Sequence, residues 1–367
     1  MQTIDAEIND RLLAFARALI DQEKARVLVP PERPAPGYWF GGGNMAQAPD
    51  GVLWLCGRYR SAGDSRTGLD LGDRGRELAV FRSDDGGKTW RKALTFDKTA
   101  LAPAGREVLS IEGSALRVGR DGAELFVSSE KRVDYPAAVA DYLKPGTGVW
   151  TIERLAAPTV EGLARATVEP LLKSAEPERL HLKDPFLYDG PEGSAYLFFC
   201  HHPFNWSSSN SAFARLVGAS VAAPDYSFLP RGTTWDVAIA RATCLLDLPR
   251  LGVLADLPTL SLVFYDGGEC LRSHEEHSAA RRRPRGYSCE ELGGLAYVID
   301  RDFSSPRRLS TLFPAFVSPY GSGTSRYVDI LGTEDGFFAT WQQSQADRSQ
   351  ALVMNFLPME AAARILG

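Results

Sequence analysis

The chain has 367 residues, 44% hydrophobic and 24% charged, with a formal net charge of −5. This is globular composition with enough apolar material for a sizeable core; the acidic balance excludes the basic footprint of a nucleic-acid binder, and no run approaches the ~18 apolar residues of a membrane span. Five cysteines without C-x-x-C spacing point to reduced thiols, and Asp5, Glu7 and Asp10 stand where a secretion signal needs positive charge, so a cytoplasmic protein is expected.

In chain order, Ile4, Ile8, Leu12, Phe15, Leu19 and Ile20 recur at three- and four-residue steps, which predicts an amphipathic helix from about residue 4 to about residue 24. Residues 1–26 are read as this helix packed on the remainder, with a homo-oligomer contact as the alternative use. After Pro36 the pattern changes to short β runs broken by Gly, Pro and Asp. Four segments align, beginning at Gly41, Ile111, Leu182 and Thr324, each with two strands around an acidic-Gly turn: Asp50-Gly51, Asp121-Gly122, Glu192-Gly193 and Asp335-Gly336. An acidic-Gly pair between alternating strands is a strong hairpin signal. A fifth unit around Thr233–Glu269 has two strands and a longer connection. Units recur about every 70 residues, room for a four-stranded sheet plus loops. Each is followed by a third β run: RELAVFRS, GVWTIERL, AFARLVGASV, GLAYVID and QALVMNFLP. Residues 27–367 therefore read as one all-β, five-bladed β-propeller carrying an N-terminal α-helix. The last blade lacks a clear fourth strand, and Val27–Val29 is expected to fill it and close the ring.

Ser83-Asp84-Asp85-Gly86-Gly87-Lys88-Thr89-Trp90 matches S-x-D-x-G-x-T-W and resembles the Asp box of sialidases and other propellers. That resemblance implies a structural hairpin, with Asp85 folded back on backbone N–H groups and Trp90 packed between strands. Lys183-Asp184-Pro185-Phe186 resembles the D-P blade start of five-bladed glycosidases, the arabinanase/xylosidase, fructosidase and mannoside-phosphorylase groups; Glu112-Gly113-Ser114 resembles the E-G-P or E-G-S start in the same group. Asn44 stands where many of these enzymes carry Asp. The resemblance implies carbohydrate chemistry, with a small carbohydrate as partner.

The first strand of each propeller blade lines the axis, so Asn44, Glu112, Asp184, Asp236 and Arg326 are expected at one mouth, with Arg58, Glu130, His201, His202, Asp266 and Gln342 just after the second strands. Glycoside cleavage uses two carboxyl groups. Glu112 is the candidate acid, since crowding by other acids would hold its proton near neutrality. Asp184 is the candidate base or orienting carboxylate, and Asp236 a third acid. The alternative for each is a carboxylate capping backbone N–H groups at a blade start. Arg58, Arg66 and Arg326 are suited to an anionic substrate group, or to pairing with the surplus acids. Trp206 is a candidate sugar-stacking platform, and one of His201 and His202 a ligand to a hydroxyl or a metal. The chemistry requires no cofactor; a divalent ion in the central tunnel is compatible with it. His274–His277 and the Arg281–Arg285 cluster read as surface. The expectation is a hydrolase acting on a small glycoside; an inverting phosphorylase, a non-catalytic sugar-binding propeller and a lyase are the alternatives.

Overall fold

The computed structural model describes residues 4–63, 71–269 and 291–367. Helix α1 (Ala6–Leu19) starts at Asp5, whose carboxylate accepts from the Ile8 N–H at 2.9 Å. It ends five residues earlier than expected. Asp21 accepts from the backbone N–H groups of Glu23 and Lys24, a local turn that competes with further helix. Ile8, Leu12, Phe15, Ala16 and Leu19 are buried in one cluster with residues of the fourth and fifth blades, so the apolar face of α1 is consumed within the chain.

Next come β1 (Arg26–Val29), β2 (Trp39–Gly41), β3 (Met45–Gln47), β4 (Leu53–Arg60), β5 (Gly75–Ser83) and β6 (Arg91–Asp97). Strands β3 to β6 form blade one, with β2 continuing its inner strand. Blade two is β7 (Val108–Gly119), β8 (Gly122–Lys131), β9 (Val149–Ala157) and β10 (Glu169–Leu172). Blade three is β11 (His181–Asp189), β12 (Ala195–His202), β13 (Asn210–Val217) and β14 (Ser220–Val221). Blade four is β15 (Ile239–Asp247), β16 (Leu260–Gly268), β17 (Leu292–Ile299) and β18 (Arg307–Arg308). Blade five is β19 (Ser325–Gly332), β20 (Gly336–Ser344) and β21 (Gln350–Pro358), completed by β1 from the other end of the chain. The pairs Arg26–Met354, Val27–Val353 and Val29–Leu352 close the ring where the sequence placed the closure. Strand β2 adds a second seam by pairing Trp39 with Gln350, so blades one and five share one sheet.

A C-terminal helix, α2 (Met359–Leu366), was not anticipated; it buries Ala362 and Leu366 in the same cluster as α1, and Arg11 donates to the Ile365 carbonyl. In the turn after β5, Asp85 accepts from the N–H groups of Lys88 and Thr89 and from the Ser83 and Thr89 hydroxyls, while Trp90 packs against the blade-one core. Hydrogen-bonding this carboxylate in its charged form pulls its pKa far down.

One irregularity positions the site. Each blade's inner strand carries one extra residue at the same level relative to its neighbour. These bulges lie between Gly41 and Met45, Ile111 and Ser114, Lys183 and Phe186, Ala242 and Cys244, and Arg326 and Asp329. A bulge turns a side chain out of the alternation and toward the axis. Asp184 and Tyr327 occupy two of them with φ of 52° each, a left-handed conformation that costs a non-glycine residue energy and is concentrated at functional sites.

Candidate active site

The bulges enclose a cavity of about 20 Å³, lined by Gly42–Asn44, Gly113, Ser114, Asp184–Phe186, Thr243 and Tyr327. That is room for about one water molecule, so the tunnel is nearly closed at this level. Close packing here requires glycine: a Cβ on Gly43 would lie 2.1 Å from the Cys56 carbonyl oxygen, and one on Gly113 2.6 Å from Asp184 Oδ1.

On the side of blades one to three, Glu112 is the hub. Arg58 donates to Oε1 through Nε at 2.9 Å and also through its terminal nitrogen, Arg60 donates to Oε2 at 2.8 Å, and the Lys183 ammonium lies 3.4 Å from Oε2. Burial would raise its pKa, but Lys183, Arg58 and Arg60 together hold this carboxyl well below the ordinary range. Glu112 is therefore ionised, and the sequence expectation that it is a proton donor is corrected. The charges that converge on it are cations rather than acids. Glu130 pairs with Arg74 and accepts from the Gly148 N–H at 2.8 Å, and burial raises its pKa in spite of Arg74.

Asp184, next to Lys183 on β11, accepts from the Gly113 N–H at 3.1 Å and faces Arg241 of blade four at 3.4 Å. Arg241 clamps Asp266 through two nitrogens, at 3.2 and 2.7 Å, and reaches Glu291 at 2.8 Å; Arg326 also pairs with Glu291. Burial lifts Asp266, Arg241 pulls it back and Glu291 adds to the rise, leaving it at about 6. For Glu291 the balance is reversed: burial is outweighed by Arg241 and Arg326, and it titrates far below its ordinary value. The ring of Tyr327 lies under the guanidinium groups of Arg241, Arg58 and Arg326 at 4.7, 5.3 and 5.3 Å. Gln342, with its amide oxygen turned toward Arg326, accepts from that guanidinium at 3.0 and 2.8 Å.

The rim is aromatic. Trp39 stacks between Arg326 and Arg60, at 4.4 and 5.0 Å. Trp206 stacks on His181 at 4.4 Å and leans on His202 at 4.6 Å. Burial and Lys183 push His181 down to about 3; burial with Lys183 and Arg241 pushes His202 well below its ordinary value, so both rings are neutral.

Strand order, closure and this axial cluster can be set against solved structures. The fold is that of the family-43 glycoside hydrolases. Similar structures include the GH43_1 enzyme from Xanthomonas citri complexed with xylotriose (TM-score 0.54, 12% identity, covering 95% of this chain and 93% of that one). An alpha-L-arabinofuranosidase from Lactobacillus brevis aligns with TM-score 0.57 at 9% identity, covering 89% of this chain and 92% of that one. A thermostable family-43 glycoside hydrolase aligns with TM-score 0.56 at 12% identity, covering 88% and 91%. No protein-family model and no curated protein matches the sequence.

Within this family-43 fold the expected residues divide. Glu112, Asp184, Arg58, Glu130, His202, Trp206, Asp266, Arg326 and Gln342 gather at the mouth. Asn44 borders the cavity, but its amide is spent on the Leu116 backbone, at 2.9 and 2.7 Å, tying blade one to blade two. Asp236 is not an axial residue. It precedes β15 and pairs with Arg308 of the outermost strand at 2.7 Å and with the Tyr265 hydroxyl at 3.1 Å, among the aromatics between blades three and four. The position equivalent to Glu112 and Asp184 in blade four is the Ala242–Thr243 bulge. His201 faces away, edge-on to Tyr226 at 5.2 Å. Arg66, His274–His277 and the Arg281–Arg285 cluster lie outside the described residues. The reading missed Arg74, Arg241, Glu291 and Tyr327; the one available signal was Arg241, a lone cation inside an otherwise apolar strand. Among the described residues no group of three or more His, Cys, Asp or Glu side chains is placed to hold a metal ion, and the only carboxylate lining the axial cavity is Asp184.

Proposed function

We propose that the protein is a glycosidase that cleaves a small glycoside at the axial mouth by carboxylate chemistry. The observation that carries this is the convergence of Glu112 and Asp184, on separate blades, at one opening, joined by the Gly113 N–H to Asp184 bond. Glu112, kept ionised by three cations, serves as the base or nucleophile, or orients whichever group does so. Asp266, raised to about 6 by burial, is the candidate proton donor, and to act as one it must give up the bonds its two oxygens accept from Arg241 and the Tyr327 N–H. Trp206, only partly buried, is the aromatic surface assigned to the sugar ring, beside His181, His202 and Lys183. The Ser83–Trp90 hairpin, read as an Asp box, serves only the blade. The family-43 neighbours support the reading by fold, and one of them holds xylotriose.

The test is a screen of aryl glycosides and disaccharides, with and without phosphate, on the wild-type chain and on Glu112→Gln, Asp184→Asn and Asp266→Asn. Turnover by the wild type that falls by about 10²-fold or more in each variant is expected. Absence of turnover across the panel, or retained activity in both Glu112→Gln and Asp184→Asn, would sink the assignment.

A further inference from the structure

The charges at the mouth are unevenly divided across the axis. Among the described residues of blades one to three, four cations (Arg58, Arg60, Arg74 and Lys183) face three carboxylates, Glu112, Glu130 and Asp184. In blades four and five, Arg241 and Arg326 face two, Asp266 and Glu291, and Arg241 also reaches Asp184 of blade three at 3.4 Å. Among the described residues of the site six cations therefore meet five carboxylates, a local surplus of one positive charge in a protein whose net charge is −5. Buried cations are costly unless each is paired.

The surplus shows in unmet bonding. Arg60 Nε and Arg74 Nε are buried without an acceptor. Lys183 is 8% exposed, and its sole carboxylate neighbour among the described residues is Glu112 at 3.4 Å, already shared with two arginines. Its ammonium otherwise rests on the faces of Trp150 and Trp206, at 4.6 and 5.6 Å. Burial, with the like charges of Arg58 and Arg74, outweighs Glu112 and lowers the pKa of Arg60. A neutral ligand would leave this imbalance in place. An oxyanion seated on Lys183 beside Trp206 removes it.

We propose that the substrate carries its own anionic group, a carboxylate or phosphoryl group on the sugar, and that Lys183, backed by Arg60 and Arg74, binds it. This rests on the glycosidase reading for its chemistry but not for its binding site. Lys183 is a specificity-determining residue in this account, and Arg60 and Arg74 are positioning residues.

The experiment pairs aryl glycosides differing only at C6, glucoside with glucuronide and galactoside with galacturonide, and adds an aryl glucoside 6-phosphate. In parallel, calorimetric titration measures binding of glucuronate, glucose 6-phosphate, glucose and inorganic phosphate. An anionic preference of about tenfold or more is expected, the worth of one charge-assisted hydrogen bond. Lys183→Gln abolishes that preference, chiefly through KM, and Lys183→Arg restores it, which also shows that position 183 tolerates substitution. Preference for the neutral partners, binding of no anionic sugar, or an unchanged preference in Lys183→Gln overturns the proposal. Binding of inorganic phosphate alone overturns it too, because the anion is then a co-substrate. Failure of the glycosidase reading looks different: no aryl glycoside is cleaved, yet the anionic sugar still binds in a manner that depends on Lys183.

Discussion

Glu112 and Arg58 form a pair whose worth can be worked out and measured. The Arg58 side chain is fully buried and that of Glu112 is 4% exposed, so solvent screens neither. Arg58 bonds Glu112 through two nitrogens and the Gly41 carbonyl through its third. Glu112→Gln leaves Arg58, Arg60 and Lys183 around a neutral amide, and stranding buried charge in this way costs about 3–5 kcal/mol. Arg58→Met strands less, because Glu112 keeps Arg60 and Lys183, so its cost belongs at the low end of that range. In the double variant most of the second loss has already occurred, and a coupling energy of about 2–3 kcal/mol is expected. Urea unfolding at pH 7, followed by tryptophan fluorescence and circular dichroism with coincident transitions, measures it; guanidinium would screen the pair. Additivity within about 0.5 kcal/mol would show that the two side chains do not share a buried bond, and the charge argument for the site would fall with it.

Asp236→Ala is expected to cost about 3 kcal/mol of stability by stranding Arg308, yet to leave kcat/KM of the folded protein within about twofold, since Asp236 faces the aromatics between blades three and four. A loss of activity without a loss of stability would return it to the site. Burial raises Asp329 to about 7 against the pull of the Met45 N–H, so between about pH 4 and 7 the folded chain keeps a proton that the unfolded chain releases. The contribution of Asp329 to stability therefore falls as pH rises through that window, by up to about 1.4 kcal/mol per unit, and Asp329→Asn should gain on the wild type between pH 5 and pH 8; parallel unfolding curves would contradict the assignment. Gly113→Ala drives a methyl to 2.6 Å from Asp184 Oδ1 and 2.8 Å from Asp184 Cα, which predicts a loss of about 1–3 kcal/mol and an activity loss beyond what unfolding explains, read from residual activity at a temperature where the variant is fully folded.

The blades were legible because their signals are local. The turns at Asp50-Gly51, Asp121-Gly122 and Asp335-Gly336 stand between paired strands, and the glycines have positive φ. Val27–Val29 could be placed because closure of a ring demands a partner for β21. The failures have a common origin in register. One extra residue in each inner strand shifts which side chain meets the axis, so blade five presents Tyr327 beside Arg326. In blade four the same shift moves the axial level away from Asp236 and makes Arg241, two positions before the bulge at Thr243, the ion-pairing residue. The protonation state of Glu112 was beyond reach for another reason. Its neighbours come from β4 and β11, and a sequence does not announce whether acids or bases will converge from separate blades. Helix α2 went unread because the strand pattern ran directly into it at Pro358.

The seam at β1 bears on how the molecule is made. Residues 26–29 leave a ribosome long before residues 352–354, their permanent partners, and Trp39 waits for Gln350. Until then the nascent chain has a frayed, adhesive rim at each end of an incomplete circle, the kind of surface that invites mispairing with a second chain. Assembly of the axial cluster is thus tied to ring closure, because Arg58 from an early blade and Arg241 and Arg326 from late ones converge on the Tyr327 ring only after the circle shuts.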